Sequence, residues 1–388
     1  MKKYIIILLF IVPAMNAQTP GETILQSYER IFVRSNLSTK VNVLSDAAHD
    51  EAAAGFYGPL CGIALDFVIT NAVLFRDDPD MLSLAVAAVR GVGKYAFDPA
   101  AESLWQVFLR FPDNVIRYEI LEVLPVLDTR SLTGKITEFL AEQNRLSNSG
   151  LPVDLELLSP LFTILGTTGE ESSYPVLFES SQLFSGEPKD QAVKALYEIN
   201  GDLLGFLIKV ILENPPPEKL SAFTLALSWD KLSSEKKGEL AEAALEVALA
   251  VSGERWSETE ELAGAALLLI RVNEWVRAIP LVFKYYNQSL AAFRTDLSSK
   301  QPLISAINCL GNLKSADTAQ TLALQLGLWN SRSAALEKEE EEVVLALINA
   351  LGQLGYKASY DGLLYTSMLP YPDEITEAAR NALDKLKW

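Results

Sequence analysis

A short string rich in Leu, Ala and Gly closes several apolar helical runs of this chain, and its recurrence constrains the fold more than any other feature. The clearest copies are Ala88–Gly93, Ile164–Gly169, Cys309–Lys314 and Ala350–Gly355. Weaker run ends follow near Asp128, Asn200 and Asn273. Most steps between neighbouring ends are about 30 to 45 residues, a period typical of stacked helix pairs that cannot bury their apolar faces alone. The sequence therefore predicts an all-α fold, an α-α superhelix (solenoid) of about eight helical pairs.

The apolar residues between these run ends have helical spacing. Leu303, Ala306, Ile307 and Leu310 follow the i, i+3, i+4, i+7 rule, and two other runs repeat it. An acid followed by Pro predicts a helix start, because Pro suits the first helical turn and the acid complements the positive helix end. This pattern occurs at Asp78–Pro79, Asp98–Pro99 and Glu187–Pro188, and Gly or Asn closes runs at Gly93, Gly169, Asn200 and Gly355.

The C-terminal part of the chain resembles a HEAT repeat. Val344–Gly355 is followed by a short link and then by Asp373–Leu383, which has an acid at its start, a β-branched residue two positions on, paired Ala and a following Leu. Asn114–Arg117 and Asp190–Lys194 match in part. The basic residue after the β-branched one is missing from most copies. The resemblance covers most of residues 40–388 and implies a solenoid, but it implies no particular ligand.

The first 17 residues have the parts of a secretory signal peptide. Lys2 and Lys3 precede an apolar run over Tyr4–Val12, and a small residue, Ala17, stands before the expected cut. The run is too short for a membrane span, which needs about 20 residues. We expect 1–17 as a signal peptide, 18–40 as an N-terminal helical cap and 41–388 as the solenoid. No second long apolar stretch is expected, so the sequence predicts a periplasmic or secreted protein without a membrane span in the mature chain.

Composition excludes several classes of function. The chain has 33 Lys and Arg against 50 Asp and Glu, a net charge of −17, which argues against nucleic-acid binding and favours a basic protein partner. It has one His and two Cys, too few for a zinc site of the Cys/His type. Cys61 and Cys309 are expected to be buried as small hydrophobic residues.

Four segments were weighed as chemical sites, and each has a simpler explanation in the fold. His49 is interpreted as a surface residue at a helix end rather than a general base. Gly91–Tyr95 lacks the first Gly and the final Ser or Thr of a phosphate loop and is interpreted as a helix end. Arg76–Asp80 lacks the spacing of a calcium loop and is interpreted as a helix cap. Glu337–Glu342 is interpreted as a solvated acidic helix start.

Aromatic residues cluster at Trp256, Trp275, Phe283, Tyr285 and Tyr286 and are interpreted as core. The sequence therefore predicts no catalytic, metal-binding or cofactor-binding residue and no cofactor. The favoured hypothesis is a non-catalytic scaffold that binds another macromolecule along the solenoid surface, and a protein is the expected partner. The alternative is an all-helical (α/α) toroid that cleaves carbohydrates with paired carboxylates.

Overall fold

A computed structural model describes residues 20–75, 77–251, 257–334 and 340–387. The expected signal peptide, 1–17, lies outside these residues. Within them, the only β-structure is an isolated parallel bridge between Tyr356 and Lys387. The described chain is otherwise helices, turns and connecting segments, as the apolar periodicity predicts. Its contacts divide it into two units, Met1–Gly201 and Asp202–Trp388.

The first unit contains ten described α-helices. They are α1 (Pro20–Arg34), α2 (Leu37–His49), α3 (Tyr57–Phe75), α4 (Pro79–Lys94), α5 (Ala101–Arg110), α6 (Asn114–Val123), α7 (Thr133–Asn148), α8 (Leu155–Thr168), α9 (Tyr174–Leu183) and α10 (Glu187–Glu198). Short 3₁₀ turns join some of them, including Asp98–Ala100 before α5 and Glu171–Ser173 before α9.

The second unit also contains ten described α-helices. They are α11 (Leu203–Glu213), α12 (Pro216–Ser228), α13 (Ser234–Ala250), α14 (Glu260–Val272), α15 (Ile279–Arg294), α16 (Gln301–Asn312), α17 (Ala316–Ala334), α18 (Glu341–Leu354), α19 (Tyr360–Thr366) and α20 (Asp373–Leu383). Again a 3₁₀ turn precedes the fifth and the ninth helix, at Val276–Ala278 and Lys357–Ser359.

The helices of each unit form two layers. In the first unit the even-numbered helices α2, α4, α6, α8 and α10 pack against one another in order, and in the second α12, α14, α16, α18 and α20 do the same. Most odd-numbered helices pack on the even-numbered partner that follows and on the next odd-numbered helix. Each unit is therefore a solenoid-like stack of helical pairs, as predicted.

Capping side chains and glycine determine where several helices begin and end. The side chain of Asp78 accepts hydrogen bonds from the backbone N–H groups of Asp80 and Met81 at the start of α4. Gly355 closes α18 at φ +69°, in the left-handed region that favours glycine. Asp98–Pro99, which predicts a helix start, instead forms the 3₁₀ turn that leads into α5.

The recurrent Gly of the short string lets neighbouring even-numbered helices approach closely. A Cβ on Gly311 would lie 2.8 Å from the Cβ of Ala350, and one on Gly352 would lie 2.9 Å from the Cβ of Ala382. The strings Cys309–Lys314 and Ala350–Gly355 therefore occupy equivalent positions, at the ends of α16 and α18. This close contact requires the small residues that the sequence repeats.

The structure differs from the sequence analysis in how the last helices pair. The link between Val344–Gly355 and Asp373–Leu383 contains α19, so α20 pairs with α19. The helix α18 is instead the neighbour of α20 in the even-numbered layer. The seven-residue α19 has too few turns to show a helical period. The helix α1 lies within the expected N-terminal cap, whereas α19 has no counterpart among the helices expected from the sequence.

One described stretch, Glu51–Phe75, is long and apolar enough by length and composition to cross a membrane, because it contains an 18-residue window with a mean hydropathy of 1.7. This stretch departs from the expectation of no second long apolar run in the chain. The stretch contains α3, which packs against α1, α4 and α5 and carries the charged residue Asp66. Its C-terminal residues Val73 and Leu74 are exposed.

Candidate interaction surface

The segments weighed as chemical sites lie in the structure as parts of the fold. His49 is the exposed last residue of α2, and its Nδ1 lies 2.7 Å from the carbonyl oxygen of Ser45. A Cβ on Gly91 would lie 2.3 Å from the Sγ of Cys61, so this end of α4 faces the packed interior. Asp78 caps α4, whereas Arg76 lies outside the described residues. Among the described residues, no group of three or more His, Cys, Asp or Glu side chains could hold a metal ion.

The aromatic cluster is largely core. Tyr285 and Tyr286 are buried, and burial raises the pKa of both phenols. The ring of Trp275 lies against Gly238, and its Nε1 donates a 2.9 Å hydrogen bond to Glu242. Trp256 lies outside the described residues.

Lys300 is the partner of the acidic run Glu337–Glu342 at the start of α18. Lys300 donates hydrogen bonds of 2.9 Å to Glu340 and 2.6 Å to Glu342. These contacts join the start of α16 to the start of α18. The remainder of the run, 337–339, lies outside the described residues.

The first unit carries an acidic edge at the starts of its even-numbered helices. Gly93 lies against Val123 at the ends of α4 and α6, and Gly166 lies against Ala195 at the ends of α8 and α10. The helices of each pair are therefore parallel, and their starts lie together. We use the name acidic edge for Asp78, Asp80, Asp113, Asp154, Glu156, Glu187 and Asp190.

The carboxylates of the acidic edge are not neutralised within the described chain. None of them forms a salt bridge with a described residue. Asp78, Asp113 and Asp154 accept backbone N–H groups as helix caps, which orients them but leaves their charge. The phenol of Tyr118 donates a 2.5 Å hydrogen bond to Glu156, and this bond raises the pKa of Tyr118 to about 12.

A depression of about 450 Å³ lies within this edge, between the starts of α8 and α10. Glu156 on α8 and Glu187 on α10 contribute carboxylates to its wall, and Ser159, Thr163 and Gln191 contribute hydroxyl and amide groups. A lysine or arginine side chain suits such a wall, because its charged head needs acceptors and its stem needs room. From the sequence, Glu187 was interpreted only as a helix start, and its proximity to Glu156 depends on the packing of α8 beside α10.

No protein-family model matches the chain, and a search of the curated proteins finds no significant match.

Proposed function

We propose that this protein is a non-catalytic HEAT-like scaffold of the periplasm or of the secreted fraction, which binds a basic protein along the acidic edge of its first unit. The unpaired carboxylates of that edge carry the proposal. A solenoid-like stack presents a long surface on which many weak contacts add up, so a partner can be held without a deep pocket.

Electrostatics supports a basic partner. The whole chain has a net charge of −17, so its long-range field attracts cations, and the acidic edge concentrates carboxylates on consecutive helices. Such attraction raises the association rate mainly at low ionic strength, because salt screens exposed charges beyond about 8–10 Å. The depression beside Glu156 and Glu187 gives one basic side chain of the partner a place to enter.

The test is capture from envelope extract on the immobilised chain starting at Gln18, at low and at moderate salt. We expect one enriched basic protein that is released as salt rises. The double variant Glu156→Gln/Glu187→Gln should weaken its capture at least tenfold. Glu29→Gln/Glu138→Gln, which removes the same charge from exposed residues of α1 and α7, should not.

Equal capture by the two double variants would mean that net charge alone attracts the partner, and the acidic edge would lose its role. Retention of cell-wall glycan without any protein would instead favour the carbohydrate-cleaving alternative, and release of reducing sugar would be its assay. N-terminal sequencing of the protein recovered from cells tests the secreted location, which predicts a first residue of Gln18.

A further inference from the structure

The second unit contains a cleft between α14 and α16, which is a different surface from the acidic edge of the first unit. It consists of two adjoining depressions of about 330 and 310 Å³, which share Gly264 and Ser305. One depression lies at the starts of the two helices, beside Glu260 and Gln301, and the other lies further along, beside Arg271. The two helices therefore run in parallel along the whole cleft.

The cleft has opposite charges at its two ends. Glu260 and Glu261 lie at one end, and neither forms a salt bridge with a described residue. Lys300, which precedes α16, is held by Glu340 and Glu342 instead. Arg271 lies at the other end, and its guanidinium also has no hydrogen-bond or salt-bridge partner within the described chain.

A half-buried arginine without a carboxylate is uncommon on a chain with many more acids than bases. The last turn of a helix favours a cation, which explains why Arg271 is tolerated there, but its donors are unused. Guanidinium groups bind carboxylates with two parallel hydrogen bonds, so the donors of Arg271 suit a ligand carboxylate.

The wall between the two ends is polar and open. Ser305 and Asn308 on α16 offer both donors and acceptors, as peptide groups require. A Cβ on Gly264 would have no neighbouring atom within 4 Å, so this glycine leaves room at the middle of the cleft. The exposed Leu268 adds an apolar surface beside Arg271.

The distance between the two charged ends of the cleft determines how long a peptide can contact both of them. Glu260 and Arg271 are both on α14, and a rise of about 1.5 Å per residue places them roughly 16 Å apart along the helix. An extended peptide covers about 3.3–3.6 Å per residue, so about five residues span that distance. We infer that the cleft between α14 and α16 binds an extended peptide of about five residues, with its amino terminus at Glu260 and Glu261 and its terminal carboxylate at Arg271. This inference extends the proposed binding role to a second, separate surface.

The probe is a pool of pentapeptides with Ala at both ends, three randomised central positions and free termini, measured by equilibrium dialysis and mass spectrometry. We expect the pool to be retained by the whole chain, and tripeptides to be retained less. Acetylation of the amino terminus or amidation of the carboxyl terminus should each lower retention at least tenfold. Equal retention of the amidated pool, or no retention of the free pool, would overturn the inference.

Three variants separate the cleft from general effects. Arg271→Gln removes the carboxylate partner, and Gly264→Leu fills the cleft without changing its charge, so each should lower retention at least tenfold. Arg294→Gln, which changes an exposed arginine in the last turn of α15, should retain the pool like the unmodified chain. Circular dichroism shows whether each variant is folded, and Arg271→Gln still decides the outcome if Gly264→Leu is not. Arg271→Gln should leave capture of the basic protein unchanged, so failure of the peptide site and failure of the scaffold role give different results.

Discussion

The hydroxyl oxygens of Thr137 and Ser173 lie 3.0 Å apart, joining α7 to the 3₁₀ turn before α9. The second unit has the same arrangement of elements, with Ser359 ending the 3₁₀ turn before α19. Ser359 is fully buried, yet its hydroxyl has no hydrogen-bond partner among the described residues. The residue on α17 that corresponds to Thr137 is Ala323, which has no hydroxyl to offer.

The correspondence of α7 with α17 rests on a second pair of contacts. Asn144 donates a 3.1 Å hydrogen bond to the carbonyl of Val176, and Asn330 donates one of 3.0 Å to the carbonyl of Gly362, in both cases 32 residues ahead. Ser180 and Thr366, each 36 residues ahead, place their hydroxyl groups 2.9 and 3.1 Å from the same amides. Thr137 and Ala323 each precede their asparagine by two helical turns. We call each of these asparagine–hydroxyl contacts an amide bridge.

Replacing Ala323 by Thr should therefore stabilise the protein. The new hydroxyl would satisfy Ser359, and a net gain of about 0.5–1.5 kcal/mol is typical of one buried hydrogen bond. The measurement is the urea midpoint of unfolding. Ala323→Val adds the same volume without a hydroxyl, so it should give no gain. An equal gain for Val and Thr would show that packing, not the hydrogen bond, is the cause.

The close contact at Gly311 predicts that a methyl group added at this position destabilises the protein. Gly311→Ala would place a Cβ 2.8 Å from that of Ala350, and such overpacking costs about 1–3 kcal/mol. Gly327 on α17 has no atom within 4 Å of the same position, so Gly327→Ala should stabilise by about 0.5–1 kcal/mol through helix propensity. Thermal unfolding of the two variants decides the point, because a gain in both would mean that α16 and α18 can move apart without cost.

These contacts show what the sequence can and cannot predict. The approach of α16 to α18 was predictable, because the string Leu-Gly-x-Leu repeats and only small residues allow it. The amide bridges were not, since Asn144 and Asn330 look like ordinary polar helix residues and their partners lie 36 residues away. The cleft between α14 and α16 was not predictable for the same reason. Glu260 and Arg271 line one cleft only because α14 packs beside α16.

Two buried lysines donate hydrogen bonds to carbonyl groups at helix ends, and they give a third prediction. Lys219 on α12 donates hydrogen bonds of 2.6 and 2.9 Å to the carbonyls of Ile211 and Leu212 at the end of α11. Lys40 on α2 contacts the carbonyls of Phe32 and Val33 at the end of α1 with the same spacing of eight and seven residues. Each ammonium therefore satisfies carbonyl groups that a helix end leaves without donors.

Lys219→Met keeps the volume of the side chain and removes the donors. It should lower the free energy of unfolding by about 1–3 kcal/mol, the cost of leaving buried acceptors unsatisfied. Lys209→Met is the control, because Lys209 is exposed on α11 and forms only a 4.0 Å surface ion pair with Glu213. A loss of the same size in both variants, measured by urea unfolding, would mean that the carbonyl contacts contribute nothing specific.

The two cysteines give the protein a predictable sensitivity to alkaline pH. Burial raises the pKa of the Cys61 and Cys309 thiols to about 12, which in the case of Cys309 outweighs the opposing effect of nearby Arg271. In the unfolded chain the same thiols ionise near pH 8.5–9, so the unfolded state loses protons that the folded state keeps. The stabilisation is therefore complete below about pH 9 and is lost as pH rises toward 12, by up to about 1.4 kcal/mol per pH unit for each thiol.

The double variant Cys61→Ala/Cys309→Ala should keep its stability to a higher pH than the unmodified chain. Its loss should begin near pH 10, where tyrosines ionise in the unfolded chain while burial raises the pKa of Tyr57 and Tyr286 in the folded one. The measurement is the urea midpoint from pH 7 to 11 under reducing conditions, which keeps disulfides from forming between unfolded chains. Coincident pH profiles would mean that the thiols can ionise in the folded protein, and their burial in the two helical stacks would then be incomplete.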